Sequence, residues 1–361
     1  MPRASIRGWV AGPPSGNLPG GPIRMRGRWG GMLALILAAH LAGATAPRPL
    51  PTAVAPLGAN LERFAYPYPV HWFDSGSLRM AYMDVAPTAP ANGRVAVLLH
   101  GKNFCAATWG DTARALAAQG YRVIVPDQIG FCKSSKPVGF QYSFAALATL
   151  TRDLLAHAGV QRAVLVGHST GGMLAIRYAL LCPAQTEALV LVNPLGLNDT
   201  LAEGVPYAPL DRLLVEEAKT DAASIKAYQL RNYYHGAWRP DYDRWVAMLA
   251  GQYASADGDT VRDAQARLSD IIETQPVAAE LGRLMVPVTL LIGQADVTAF
   301  RASSAPEALR PRIRTVPQAA ETAAGTIPGA RLVRLDGLGH APQVEAPARF
   351  QAALFDALKE H

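Results

Sequence analysis

Hydrophobic and polar positions divide the chain into three rhythms. Between residues 70 and 194, short apolar runs alternate with stretches of helical spacing. Val70 to Asp74 and Leu78 to Val85, separated by Ser75-Gly76-Ser77, predict an opening antiparallel hairpin. Val95 to Leu99 is a continuous apolar run of strand length, as in strands buried on both faces, and Tyr121 to Pro126, Ala163 to Val166 and Ala188 to Asn193 are further apolar strands. Between them, Ala106 to Gln119, Phe144 to Ala158 and Met173 to Leu181 carry helical periodicity. Strand and helix in alternation predict a parallel sheet covered on both sides.

After Pro194 the rhythm changes. Residues 195–284 show no buried strand, only helical segments carrying Tyr228, Tyr233, Tyr234, Trp238, Tyr242, Trp245 and Tyr253. This stretch reads as a helical lid inserted after the sixth strand. Sheet logic resumes over residues 285–361, with Val288 to Ile292, Arg331 to Leu335 and a closing helix from Ala346 to Leu358; Thr298 to Pro328 is a Pro- and Ala-rich connection. The expected division is therefore a core in two parts, 61–194 and 285–361, with the lid between them.

The N-terminal rhythm is different again. Arg24, Arg26 and Arg28 precede an apolar run from Met32 to Leu41 and then Ala42-Gly43-Ala44-Thr45-Ala46. A basic segment, a short apolar segment and small residues predict a secretory signal over residues 1–46, with Met25 a more ordinary start than Met1. The apolar run is too short for a stable membrane span, so no permanent anchor is expected. Residues 47–60 read as a Pro-rich linker outside the fold. The expected destination is periplasmic or secreted.

Composition narrows the picture further. Half of the 361 residues are hydrophobic and 17% are charged, which suits a large folded core. The net charge of +6 comes mostly from five arginines in the leader, so no nucleic-acid partner is read from it. The eight histidines lack metal-ligand spacing, and no Gly-rich phosphate or dinucleotide pattern is present, so neither metal nor cofactor is expected.

Candidate chemistry centres on Val164-Leu165-Val166-Gly167-His168-Ser169-Thr170-Gly171-Gly172-Met173, where an apolar strand meets Gly-x-Ser-x-Gly and a helix begins at once. The bare pentapeptide is a weak signal. In the strand-to-helix context it is a nucleophile elbow, which lifts the Ser169 hydroxyl above the sheet edge. Serine needs a base, and the base an orienting acid. In chain order these are expected after further strands: Asp296 follows the strand ending at Ile292, and His340 the one ending at Leu335. Asp199 is a topologically allowed alternative acid. Two backbone donors for an oxyanion are expected at Thr170 and Lys102, with Asn103 the alternate. His100 reads as a loop-structuring residue, and the Lys102 side chain as a solvated head. Asn103, Phe104, His168, Tyr234 and Trp238 are candidate substrate contacts.

Together, His100-Gly101, Asp127-x-x-Gly130, Gly167-x-Ser169-x-Gly171, Asp296 and Gly339-His340 resemble the α/β-hydrolase superfamily, in its lid-bearing serine hydrolase branch. The resemblance runs from about Val70 to the C-terminus. It implies an eight-stranded, mostly parallel sheet and Ser-His-Asp hydrolysis without cofactor. Ser rather than Asp at position 169 separates the chain from the haloalkane dehalogenase and epoxide hydrolase branches, which form their ester on a carboxylate. Cys132 stands where relatives carry a small, Gly-like residue. Because it and Cys105 fall in loops placed on the same sheet edge of an exported chain, the two are candidates for a disulfide. The expected activity is cleavage of a carboxylic ester or related small-molecule acyl substrate. Alternatives on the same fold are a C–C bond hydrolase, a lactonase, a cofactor-free haloperoxidase and a proline iminopeptidase-like aminopeptidase, for which Glu216, Glu217 and Glu280 are candidate amine holders. A non-catalytic binding module is the alternative from another class.

Overall fold

The computed structural model describes residues 54–359, and the expected signal segment lies outside them. The strands are β1 (Val70–Ser75), β2 (Leu78–Val85), β3 (Val95–Leu99), β4 (Arg122–Pro126), β5 (Ala163–His168), β6 (Thr186–Val192), β7 (Val288–Gly293) and β8 (Arg331–Leu335). They form one sheet in the order β1-β2-β4-β3-β5-β6-β7-β8. The pairs β1/β2 and β2/β4 are antiparallel, and every other pair is parallel. This is the eight-stranded, mostly parallel sheet that the resemblance implies.

Successive side chains of a strand point to opposite faces, and the continuous apolar runs therefore feed two cores at once. Val97, Leu99, Leu165, Leu189, Leu191 and Ile292 enter one apolar layer, shared with α2 (Phe144–His157) and α3 (Thr170–Leu181). Ala96, Leu98, Val164, Val166, Val190 and Leu291 enter the other, shared with α1 (Gly110–Ala117) and, at the end of the chain, the C-terminal helix.

Between β6 and β7 stand four helices: α4 (Leu210–Glu217), α5 (Ala222–Asn232), α6 (Asp243–Tyr253) and α7 (Gly258–Thr274). They pack on the first layer through Tyr233, Trp245, Met248, Leu268 and Ile271. The connection from β7 to β8 holds short 3₁₀ turns and α8 (Val316–Thr326); α9 (Pro342–Glu345) and α10 (Pro347–Lys359) close the chain. Among the described residues, no helix is long and apolar enough to cross a membrane.

One boundary moves. The expected linker joins the fold before residue 60: the Leu57 N–H donates to Gly251 O at 2.9 Å, and the Gly58 N–H to Ser255 Oγ at 2.8 Å, both at the end of α6. Leu61 is fully buried. An apolar residue every few positions in this Pro-rich stretch is enough to dock it.

Candidate active site

All parallel strands of the sheet end on the same edge, and the residues just past those ends build the site. At the end of β5 the chain turns directly into α3 at Ser169, whose φ of 57° lies in the left-handed region that a residue with a side chain avoids. The turn closes only because its flanks lack side chains. A Cβ on Gly167 would lie 2.4 Å from Gly171 O, and one on Gly171 2.2 Å from Leu99 O.

Past β8, His340 reaches Ser169: its Nε2 is 3.0 Å from Ser169 Oγ, and its Nδ1 is 2.7 Å from Asp296 Oδ2. Asp296, past β7, is itself held on both oxygens. The Thr298 N–H donates to Oδ1 at 2.8 Å, and Asn193 Nδ2 donates to Oδ2 at 2.8 Å. Asn193 follows β6 with a positive φ of 41° and accepts the Gly293 N–H on its own Oδ1 at 3.0 Å, fastening the Asp296 loop to the sheet. All three side chains of the relay are nearly enclosed. Asp199 is excluded from the relay, since its carboxylate caps the Ala202 N–H in the following turn.

The loop after β3 lies over the serine: a Cβ on Gly101 would come 2.8 Å from Ser169 Cβ. Within it, His100 is structural. Its Nε2 accepts the Gln128 N–H at 3.2 Å and its Nδ1 lies 3.0 Å from Gly101 O. Burial lowers its pKa, which keeps the ring neutral. The loop's far end is fixed by Asp127, which accepts the Ala106 N–H on one oxygen and the Tyr66 hydroxyl and Lys133 N–H on the other. Among the described residues, no acceptor takes up the backbone N–H of Lys102 or Thr170. The Lys102 side chain is not a solvated head. Its Nζ donates to Glu217 Oε1 at 2.6 Å, at the end of α4, and the Tyr253 hydroxyl of α6 donates to Glu217 Oε2 at 2.9 Å.

The expected substrate contacts divide. Asn103 lines a cavity of about 290 Å³ together with Lys102, Glu217, Tyr228, Leu249 and Tyr253. Phe104, His168, Tyr234 and Trp238 belong to the packing instead. Phe104 is buried between His168, Tyr233 and Trp245. The His168 Nε2 donates to His340 O at 2.8 Å, so it braces the base from behind; burial, reinforced by the neighbouring His340, holds its pKa well below the ordinary imidazole value. Tyr234 stacks flat on Tyr242 with ring centroids 3.6 Å apart, and Trp238 donates its indole N–H to Asp243. In a helical segment, aromatic spacing marks an insertion's own core as readily as a pocket.

The disulfide is not formed. Cys105, Cys132 and Cys182 are free thiols. Cys105 and Cys132 are nevertheless neighbours, with their sulfurs and an Asp127 oxygen all within 4.8 Å of one another. The Cys105 Sγ instead faces Met248 Sδ at 3.1 Å, and Cys132 Sγ faces Phe104 O at 3.6 Å. Cys132 has a positive φ of 46°, which explains why a small residue suits that position.

Sequence reasoning missed Asn193 and Tyr233, and it offered Glu217 only as a holder for a substrate amine, not as the partner of Lys102. Tyr233 stacks on the His340 ring at 5.1 Å and accepts from Asn103 Nδ2 at 3.0 Å. Asn193 was legible only as the last residue of a strand run, and Tyr233 as one of several aromatics in a long helical stretch with nothing local to distinguish it.

A family model described as "Alpha/beta hydrolase family" matches residues 96–353. A crystal structure of a probable hydrolytic enzyme from Pseudomonas aeruginosa PAO1 is 51% identical, with a TM-score of 0.83, covering 84% of this chain and 99% of that one. Haloalkane dehalogenase 2 of Mycobacterium tuberculosis is 28% identical over 305 residues, 81% of this chain and 95% of the relative. The enol-lactonase from Burkholderia xenovorans LB400 shares the fold with a TM-score of 0.62 at 19% identity, covering 80% of this chain and all of that one.

Proposed function

The chain belongs to the alpha/beta hydrolase family, and we propose that within it the protein is an exported serine hydrolase that cleaves a carboxylic ester or related acyl substrate. The observation that carries this reading is the unbroken line of hydrogen bonds from Asp296 through His340 to a serine held at positive φ. In the proposed reaction, Ser169 Oγ attacks the substrate carbonyl while His340 Nε2 takes its proton. Asp296 keeps the imidazole oriented and stabilises its positive charge, and the N–H groups of Thr170 and Lys102 bind the oxyanion. Collapse of the tetrahedral adduct expels the alcohol, which takes the proton back from His340. A water molecule then attacks the acyl-serine by the same sequence and frees the acid and the enzyme.

Dehalogenase chemistry is disfavoured, despite the mycobacterial relative, because residue 169 is a serine where that chemistry needs a carboxylate. Aminopeptidase activity is disfavoured as well: each of the three candidate amine holders already has a cation. Glu216 pairs with Arg301 and Arg212, Glu217 with Lys102, and Glu280 with Arg177 and Arg283. The helices between β6 and β7 act as the lid in this reading. Export rests on the Arg-rich, apolar and Ala-rich order of residues 24–46, and N-terminal sequencing of the mature protein tests it. The activity is tested with a fluorophosphonate probe, which is expected to label the wild type and not Ser169→Ala; a wild type that stays unlabelled overturns the reading.

A further inference from the structure

The cavity beside the oxyanion loop contains an arrangement that the hydrolytic machinery does not use. Gly101 packs on the nucleophile, so the next residue, Lys102, offers its backbone to the reacting carbonyl and its side chain to the cavity wall. A substituent of that carbonyl therefore has this cavity as its neighbour. The walls are largely apolar, from Ile225, Tyr228, Leu249 and Phe300, and Lys102 and Glu217 are the charged residues among those lining it. These two charges are spent on each other at 2.6 Å, with their side chains 16% and 11% exposed. The Tyr253 hydroxyl occupies the second Glu217 oxygen, and burial together with that carboxylate keeps the phenol protonated as a donor.

We propose that the Lys102–Glu217 pair is a charge filter: by cancelling inside the cavity, it restricts the site to uncharged substituents of modest size. This rests on the serine hydrolase reading and names the substrate class within it. Desolvation sets the discrimination. A carboxylate entering the cavity loses water and meets an ammonium whose charge is already neutralised, with the Glu217 carboxylate beside it; an ammonium meets the mirror situation. A neutral chain loses no charge hydration and gains the apolar walls. Specificity here is built from repulsion as much as from fit.

The filter makes an unusual prediction, because removing Glu217's charge should create an activity. Two substrates of equal chain length serve: 4-nitrophenyl hexanoate, which is neutral, and the 4-nitrophenyl hemiester of adipic acid, which ends in a carboxylate. The readout is the ratio of kcat/KM for the two, corrected for spontaneous hydrolysis. The wild type is expected to favour the hexanoate. In Glu217→Gln the freed Lys102 ammonium should shift the ratio toward the hemiadipate by about tenfold. Lys102→Met should shift it the other way, and the Lys102→Met/Glu217→Gln double variant, with neither charge, should return toward the wild-type preference. If Glu217→Gln does not fold, the opposite shift in Lys102→Met carries the test.

A wild type that takes both esters equally, or a folded Glu217→Gln whose ratio moves by less than about threefold, overturns the filter. Fluorophosphonate labelling of Ser169 in the same preparations separates the two failures. Labelled protein with an unmoved ratio sinks the filter alone, and unlabelled wild type sinks the hydrolase reading beneath it.

Discussion

The edge of the sheet and the helical insertion above it are built on different rules. At the edge, backbone geometry decides. Ser169, Asp296 and His340 stand where they do because three parallel strands stop there, and small residues let the chain turn within ångströms of itself. In the insertion, side chains decide. Tyr234 on Tyr242 and Lys226 over the Trp238 ring fold the connection after α5 onto itself and onto that helix, and Tyr253 on Glu217 joins α6 to α4. The contrast teaches that the reaction type is written into the topology, whereas the choice of substrate is written into contacts that many sequences could make differently. The two regions meet along one seam, where Asn232 O accepts the His340 N–H at 3.2 Å and Tyr233 lies against the imidazole.

Substitutions on either side of that seam separate the two regions. The largest effect is expected for Ser169→Ala, a loss in kcat on the order of 10⁴-fold or more with folding intact, measured by ester turnover and by thermal unfolding. Tyr234→Ala removes a fully buried ring from the insertion and should cost about 3 kcal/mol of stability by denaturant titration, while Ser169 still takes up the fluorophosphonate probe under native conditions. Abolished labelling in folded Tyr234→Ala would show that the insertion and the edge are not separable.

Asn193→Ala is a subtler cut on the sheet side. It leaves Asp296 held by Thr298 but frees its other oxygen from the β6 end, so kcat should fall between about tenfold and a hundredfold with KM nearly constant. The remaining effect is graded, a pH dependence. His100 and His168 are held neutral by burial in the folded protein but bind protons near pH 6.5 when unfolded. The unfolded state thus takes up more protons as pH falls below about 6.5, and stability drops with pH toward the folded-state pKa values, each histidine contributing up to about 1.4 kcal/mol per pH unit. Above that range neither histidine changes stability. Thermal midpoints between pH 7 and 5 check the slope, which should flatten in His168→Gln.

The same division explains what could be read from the residues alone. The strands were legible because a parallel strand buried on both faces is continuously apolar, as Val95 to Leu99 is, or nearly so, as Val288 to Ile292 is with Thr289 its one polar residue. Asp296 and His340 were legible through their order after Ser169 and their positions past strands. Asn193 was not, since an asparagine at a strand end has many uses and only its contact with Asp296 gives it this one. Glu217 and Lys102 are 115 residues apart, and no local pattern announces their pairing. Tyr234 and Trp238 read as candidate substrate contacts, although the structure packs them on Tyr242 and Asp243, because periodicity records that a ring is buried and not what it is buried against. Residues 57–60 read as linker because they follow Pro47, Pro49, Pro51 and Pro56, although Leu57 and the buried Leu61 anchor that end to the core.

The position of β5 in the sheet has a consequence for inactivation. Four strands lie on one side of it and three on the other, so the strand that carries the nucleophile is, with β3, one of the two farthest from either margin. Partial melting that begins at the β1 hairpin or at β8 must travel inward through several paired neighbours before it disturbs the turn at residue 169. Probe labelling should therefore survive melting that starts at the β1 hairpin but fail early when β8, which places His340, gives way, whereas amides of β5 should be among the last to exchange with deuterium.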